Sequence, residues 1–235
     1  GLLFHPGRAL AGEVVVADIG LDVSRARTEL VDAAGVAAVL PRRAADAHKW
    51  RAAVVLAGGS PGMTGAARLV AAAAQRAGAG MVRVASPGVD HDPGLPTEAV
   101  AVPVPTAGWE VPVLSQLDRA GALVLGPGLG LSAPNEASVT QLVAHAAVPT
   151  VVDGDGLTAL GTRAAGVIAQ RRDAGPVVLT PHDGEFARLA GGPPGPDRCA
   201  AARDLAARLG AIVLLKGPTT VVAAPDGRVR LSTAG

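Results

Sequence analysis

The chain is poor in the features that commit a protein to a membrane, a nucleic acid or a disulfide scaffold. Its 235 residues hold one cysteine, Cys199, no tyrosine, two tryptophans and two phenylalanines. A single cysteine excludes an internal disulfide framework and fits a reducing, cytoplasmic setting. An aromatic share of 2% provides no platform on which nucleic-acid bases would stack. Excess charge is missing too: 21 basic and 20 acidic residues give a net charge of +1, so nothing electrostatic favours nucleic acid or an anionic membrane surface. No apolar run is long enough to span a bilayer, and no signal peptide is visible. The first residue is glycine, so the sequence is expected to be part of a longer chain.

What the chain does have is 49% hydrophobic residues and 31 glycines. With so few aromatics, its core must be Val, Leu, Ile and Ala packed between layers. The order of features is strand, turn, helix, repeated. Strands are expected at residues 13–19, 53–57, 81–85, 122–125, 150–153, 176–180, 211–215, 219–223 and 228–231. Most of the middle runs are continuously apolar, as in parallel strands buried on both faces. The clearest helix follows Thr64: Ala66, Leu69, Val70, Ala73, Ala74 and Ala77 share a face, with Arg68 and Gln75 opposite. Ser60 or Thr64 is the candidate cap at its start, and Gly78 or Gly80 at its end. Further helices are expected at residues 135–146, 154–160, 184–189 and 197–209.

This alternation predicts a doubly wound α/β fold, a three-layer α/β/α sandwich with a mostly parallel central sheet. Pro225-Asp226-Gly227 is a turn signal that makes the last two strands antiparallel. The start of the chain does not share the rhythm. Residues 24–47, with Arg25, Arg27, Arg42 and Arg43, read as a connector, and residues 1–23 as the tail of a preceding domain.

Ligands of open α/β sheets bind beyond the carboxyl ends of the strands. Five expected strand exits carry glycines or polar groups: Gly58-Gly59-Ser60, Gly126-Pro127-Gly128-Leu129-Gly130, Asp153-Gly154-Asp155-Gly156, the run from Thr180 to Glu185, and the run from Lys216 to Thr220. None is a standard nucleotide signature. The stretch from Gly58 to Gly65 lacks the Lys-Ser/Thr pair of a P-loop, and Gly126 to Gly130 is spaced G-x-G-x-G rather than G-x-G-x-x-G. Each group also has a structural reading. The glycines serve tight turns as readily as ligands, and Glu185 is placed to cap the helix it opens. Asp153 and Asp155 suit helix caps or water-mediated Mg²⁺ contacts. Lys216 suits a snorkelling surface position or, with Gly217, Thr219 and Thr220, a phosphate. His182 stands at a strand exit between Thr180 and Glu185, which favours a functional role. Cys199 reads as inert packing, and His5, His91 and His145 have no partner pattern.

Several segments taken together carry a specific resemblance. His48-Lys49, "AGGSPGMTGAA", "QRAGAGMVRVA", "LVLGPGLG", "PTVVDGDGL", "VVLTPHDGEFARL" and "VLLKGPTTVVAAPDG" occur in one order and spacing. From about residue 41 to residue 235 the chain resembles the ADP-dependent NAD(P)H-hydrate dehydratases, which have a ribokinase-like fold. The opening "GLLFHPGRALAGEVVVADIGL" resembles the closing strand of the NAD(P)H-hydrate epimerase domain that precedes the dehydratase in bifunctional repair enzymes. The implied organisation is an epimerase tail (1–23), a linker (24–47) and a dehydratase domain (48–235) that is C-terminally incomplete.

The resemblance implies metabolite repair: water is removed from the S epimer of hydrated NADH or NADPH at the expense of ADP (or ATP), giving AMP and phosphate from ADP. It implies that the epimerase domain interconverts the R and S hydrates. It places Ala66, Gly128 and His182 on the hydrate and Lys216, Gly217, Pro218, Thr219 and Thr220 on the adenine nucleotide. It makes His182 and Glu185 the catalytic pair, with Glu185 ordering a Mg²⁺ shell through water. It also implies a homo-oligomer, tetrameric among relatives.

The chain departs from the family pattern at Trp50 (usually Gly), Gly154 and Gly156 (Ala), Thr158 (Asn) and Asp183 (Pro). It ends at "RLSTAG", before the family's Gly-Thr-Gly-Asp segment, which supplies an anion hole and the acid expected to deprotonate the hydroxyl. These 235 residues alone are therefore expected to turn over poorly or not at all. Two other readings stay open at this level: a ribokinase-fold kinase of a small vitamin precursor, and a nucleotide-binding domain without turnover.

Overall fold

The computed structural model describes residues 2–42, 44–171 and 174–233; Arg43 of the expected connector and the closing Ala234-Gly235 lie outside them. Short runs of Val, Leu, Ile and Ala become strands, because branched side chains pack well on a pleated surface. In chain order the helices and strands are α1 (Gly7–Leu10), β1 (Thr28–Leu30), α2 (Ala33–Val39), β2 (Ala53–Ala57), α3 (Thr64–Arg76), β3 (Met81–Ala85), β4 (Ala99–Ala101), α4 (Glu110–Leu117), β5 (Ala122–Leu125) and α5 (Ala133–His145). There follow β6 (Thr150–Val152), α6 (Asp155–Leu160), α7 (Ala164–Ile168), β7 (Val177–Leu179), α8 (Asp183–Ala190), α9 (Arg198–Leu209), β8 (Ile212–Leu215), β9 (Thr220–Ala223) and β10 (Val229–Ser232).

The strands form one sheet in the order β1-β10-β9-β8-β7-β6-β5-β2-β3-β4. Its pairings are parallel except where β9 meets β8 and β10. The order reverses at β2: β3 and β4 extend the sheet on one side, while β5 to β8 extend it on the other. Such a reversal opens a crevice at the carboxyl ends of the two strands that flank it.

Alternation along the strands sorts side chains between two faces. Val55, Leu123, Leu125, Val152, Leu179 and Val213 point to one face, where residues of α4 to α9 complete the main core. On the other face Leu56, Val82 and Val84 pack against Ala67 and Ala71 of α3. Helices therefore flank a mostly parallel sheet on both sides. The second face is less covered farther along, where Val151, Val178, Ile212, Leu214 and Val222 are half-buried.

Several expectations need correction. Residues 13–19 form no strand; Val14, Val15, Val16 and Ile19 are exposed and have no ladder partner among the described residues. The expected connector contains β1, a parallel partner for β10, and α2, whose first turn is capped by Asp32. Elements β4, α4 and α7 were not anticipated. The buried face of α3 centres on Ala67 and Ala71, with the expected Val70 and Ala74 packed beside them, whereas Leu69 is 75% exposed. Neither Ser60 nor Thr64 caps this helix: Met63 holds that place without a side-chain bond, and the Ser60 hydroxyl donates to the Gly128 carbonyl at 2.9 Å. Gly78 does close α3, donating to the Gln75 carbonyl with φ at 99°.

Helix α3 is tied to the loop after β3 by Arg68, whose Nε lies 3.1 Å from both oxygens of the buried Asp92 carboxylate. Hydrogen bonding from Arg68 holds the Asp92 carboxyl below its usual value, against its burial, with help from the Gly94 amide. A group whose folded value is lowered contributes stability above its ordinary value and loses it as pH falls through the folded one. The urea midpoint is thus expected to decline as pH drops below about 4, the ordinary aspartate range. In Arg68→Met that part of the acid slope should flatten; a slope equal to that of the wild type would remove this ion pair as its source.

Candidate functional site

Because β2, β5, β6, β7 and β8 run parallel, their exits lie along one rim. Backbone bonds lace each exit to the next. Gly59 N–H donates to the Pro127 carbonyl at 2.8 Å, Asp153 to Leu125 at 3.0 Å, Thr180 to Val152 at 3.1 Å and Lys216 to Pro181 at 2.8 Å. The five motif-bearing loops thus form one continuous edge.

At the crevice, backbones approach so closely that two positions require glycine. Gly126 has φ at 118°, and a Cβ there would lie 2.0 Å from the Asp153 carbonyl oxygen. At Gly128, with φ at 67°, a Cβ would lie 2.9 Å from the Ala66 side chain. This second contact brings two sequence-predicted hydrate residues together. The loop between them is held from three sides. Ser60 bonds Gly128, the Asp155 carboxylate accepts from Gly130 N–H at 2.8 Å, and Asn135 Nδ2 donates to the Leu129 and Gly130 carbonyls at 2.8 and 3.2 Å. Asn135 is itself fixed by the buried Trp109, whose Nε1 donates to it at 3.0 Å.

The second cluster lies where β6, β7 and β8 end. The Lys216 ammonium sits 2.8 Å from Asp153 Oδ1 and 3.6 Å from Glu185 Oε2. Glu185 is 6% exposed, and Oε2 also accepts from His182 N–H at 2.9 Å. His182 completes a reciprocal cap on α8, its Nδ1 accepting from the amides of Gly184 and Glu185 at 3.0 and 3.4 Å. This pattern assigns the imidazole proton to Nε2, which lies 3.5 Å from Glu185 Oε1. Glu185 therefore caps α8 as anticipated, and its carboxylate also faces a lysine, a pairing the sequence did not signal.

The rest of the predicted nucleotide segment is placed less uniformly. Gly217 and Pro218 leave β8 beside Lys216, and Thr220 opens β9. Thr219 is buried, and its hydroxyl donates to the Leu3 carbonyl, so its side chain serves the N-terminal segment here rather than facing a phosphate. The two clusters meet through Asp153, whose backbone packs on Gly126 and whose carboxylate holds Lys216. The sequence had marked Asp153 as acidic at an exit but gave no sign of its pairing. Asn135, Trp109 and Arg198 were not marked for the site at all.

The family model described as NAD(P)H-hydrate dehydratase matches residues 54–235. The chain belongs to the NAD(P)H-hydrate dehydratase family. The bifunctional NAD(P)H-hydrate repair enzymes Nnr of Moorella thermoacetica and Mycobacterium tuberculosis are 40% and 44% identical to it, over 100% and 98% of the chain. The chain spans about half the length of these relatives, 47% and 46% respectively. Among solved structures, a ribokinase-like superfamily protein from Enterococcus faecalis superposes with a TM-score of 0.74 at 26% identity, covering 89% of this chain and 73% of the other. The ADP/ATP-dependent NAD(P)H-hydrate dehydratase of Bacillus subtilis, co-crystallised with ATP/Mg²⁺, superposes with a TM-score of 0.68 at 30% identity, covering 86% and 71%. No helix among the described residues is long and apolar enough to cross a membrane.

Replacing Lys216 by alanine leaves Asp153 and the largely buried Glu185 without their shared cation. ADP or ATP affinity is expected to fall by about ten-fold or more, the scale of a lost charge-assisted hydrogen bond. Calorimetric titration with circular dichroism as the fold control measures this; an unchanged affinity would take Lys216 out of the site.

Proposed function

We propose that the full-length protein to which this chain belongs is a metabolite-repair dehydratase, acting on the S epimer of hydrated NADH or NADPH with ADP (or ATP) as co-substrate, and that these 235 residues supply its hydrate and nucleotide rim. The observation that carries the reading is the junction at Asp153. It joins the glycine loop packed on Ala66 at Gly128 to a lysine between two carboxylates, a cation suited to phosphates.

The chemistry follows from the poor leaving ability of hydroxide. The hydroxyl oxygen of the hydrate attacks the terminal phosphorus of ADP; the bond to AMP breaks, and the hydroxyl proton is released. The carbon–oxygen bond then breaks with phosphate as the leaving group, while a proton leaves the neighbouring carbon and the ring double bond returns. Positioning and electrostatics dominate such a transfer. Lys216 and the backbone from Gly217 to Thr220 hold the nucleotide phosphates, and the backbone at Ala66 and Gly128 orients the hydrate. His182 contributes its Nε2–H, because Nδ1 is committed to the helix cap.

For Mg²⁺ the donor set fits an ion that arrives with the nucleotide. Among the described residues no group of three or more His, Cys, Asp or Glu could hold a metal alone. Mg²⁺ commonly keeps several waters and takes one or two carboxylates plus substrate phosphates. Glu185 would hold it through water, with Asp153 nearby. When bound, the ion neutralises charge on the phosphate oxygens.

The full-length protein is proposed to epimerise the R and S hydrates as well, through the domain whose tail is residues 1–23. It is further proposed to act in the cytoplasm as a homo-oligomer, with a tetramer as the assembly to look for by light scattering.

The deciding assay gives full-length protein hydrated NADH with ADP, and in parallel with ATP, and follows the absorbance of restored NADH. Recovery with either nucleotide is expected. No recovery with both, together with phosphorylation of a hydroxymethylpyrimidine or hydroxyethylthiazole, would replace this reading by that of a vitamin-precursor kinase.

A further inference from the structure

Arg198 opens α9 and faces the site from outside the motifs that identify the family. Its guanidinium bridges two parts of the rim. Nη2 donates to the Lys216 carbonyl at 2.8 Å, and Nη1 donates to the Asp183 carboxylate at 2.9 Å, next to the His182 cap. The side chain is 18% exposed, and its Nε is buried without a hydrogen-bond partner among the described residues. Gly217 makes room for it: a Cβ at that position would lie 3.0 Å from Nη2.

We infer that Arg198 is a positioning residue for the nucleotide, fixing the Lys216–Gly217 backbone so that the Lys216 ammonium and the amides after it meet the phosphates together. The inference rests on the nucleotide-binding reading given above. The backbone after β8 turns away from the ladder at Lys216, where no strand partner is left to hold its carbonyl. A charged donor at that carbonyl sets the direction in which the segment leaves the sheet, and with it the origin of the Lys216 side chain. The bond is partly buried and charge-assisted, which makes it stronger than a solvent-exposed one. The Asp183 end is different: that carboxylate is 59% exposed, so water and salt screen the pair. The two ends of one guanidinium should therefore contribute unequally, with the carbonyl bond dominant. Arg198 also brings a second positive charge beside Lys216, where a polyphosphate would lie.

The test is an ADP titration of the full-length protein by calorimetry, with the KM for hydrated NADH measured alongside. Arg198→Met should weaken ADP binding by about ten-fold, the scale of a lost hydrogen bond to a charged group, with the hydrate KM shifted by less than about two-fold. Arg198→Lys should recover part of the affinity, since it keeps the charge and one donor but not the two-pronged geometry. Gly217→Ala should weaken binding in the same direction by displacing the guanidinium. Asp183→Asn should change ADP affinity by less than about two-fold, as expected of a screened surface pair. An Arg198→Met protein that melts earlier yet binds ADP like the wild type would make Arg198 merely structural and overturn the inference. Equal losses in Asp183→Asn and Arg198→Met would also overturn it, by putting the weight on the ion pair. A wild type that binds neither ADP nor ATP would overturn the nucleotide reading itself, and this inference with it.

Discussion

One ammonium group joins the exits of three strands. Lys216 extends from the end of β8 to Asp153 at the end of β6 and to Glu185, which belongs to the helix that follows β7. Glu185 is too buried to rely on water for compensation, so its charge must be balanced by protein groups. Two provide this balance: the His182 amide and the Lys216 ammonium. A lysine held this way is immobilised before any ligand arrives, so little side-chain entropy remains to be lost on binding. It is also shared between two carboxylates, which leaves the pocket short of positive charge. An incoming polyphosphate worsens that shortage unless it brings its own cation. Under the proposed reading, a nucleotide that arrives with Mg²⁺ would suit this arrangement better than a bare one.

The other half of the site is made of backbone. Where Gly126 packs on the Asp153 carbonyl and Gly128 on Ala66, side chains have been removed to let main chains approach. Such loops are inherently loose, because glycine loses the most freedom on folding. Here the cost is met by side chains that bond main-chain groups of the loop: Ser60 from the neighbouring exit, Asp155 from α6 and Asn135 from α5. Trp109, fully buried, fixes Asn135 in turn. The crevice is therefore shaped by polar groups that need never touch a ligand.

The central strands and their direction were legible in the sequence, because runs such as Ala53-Val54-Val55-Leu56-Ala57 are apolar on both faces only when a sheet is covered on both. So was the shared rim, since parallel strands must end on the same side. The edge was not legible. β1 is three residues long, too short for a period, and exists because β10, some two hundred residues away, offers it a ladder. Residues 13–19 have the composition of a strand but no described partner, and composition alone cannot supply one. The α3 face was legible only in part, with Val70 and Ala74 on the core side and Leu69 not, for a related reason. Its apolar surface runs nearly all the way round, so the choice fell to Leu56, Val82 and Val84 beneath Ala67 and Ala71, and to Gly128, which takes Ala66. Pairings such as Lys216 with Asp153, or Arg198 with the Lys216 carbonyl, join residues far apart in sequence by side chains whose types are common everywhere. Nothing local marks them.

The cap on α8 decides how labour divides along the rim. A helix start is ordinarily a good phosphate site, because its first amides are unpaired. In α8 they are not free: the amides of Gly184 and Glu185 are taken by His182 Nδ1, and the Glu185 carboxylate adds negative charge at the same point. An anion gains nothing there. Under the proposed reading, phosphate is instead met at Lys216 and the backbone leaving β8, where a cation is at hand and the chain is no longer paired in a ladder. His182 keeps one donor, Nε2–H, outside the cap and 3.5 Å from Glu185 Oε1, on an imidazole whose orientation its own cap has fixed. A donor of that kind suits a neutral hydroxyl or amide better than a phosphate, so the proposed reading would set the hydrate on the His182 side and the nucleotide on the Lys216 side of the same carboxylate.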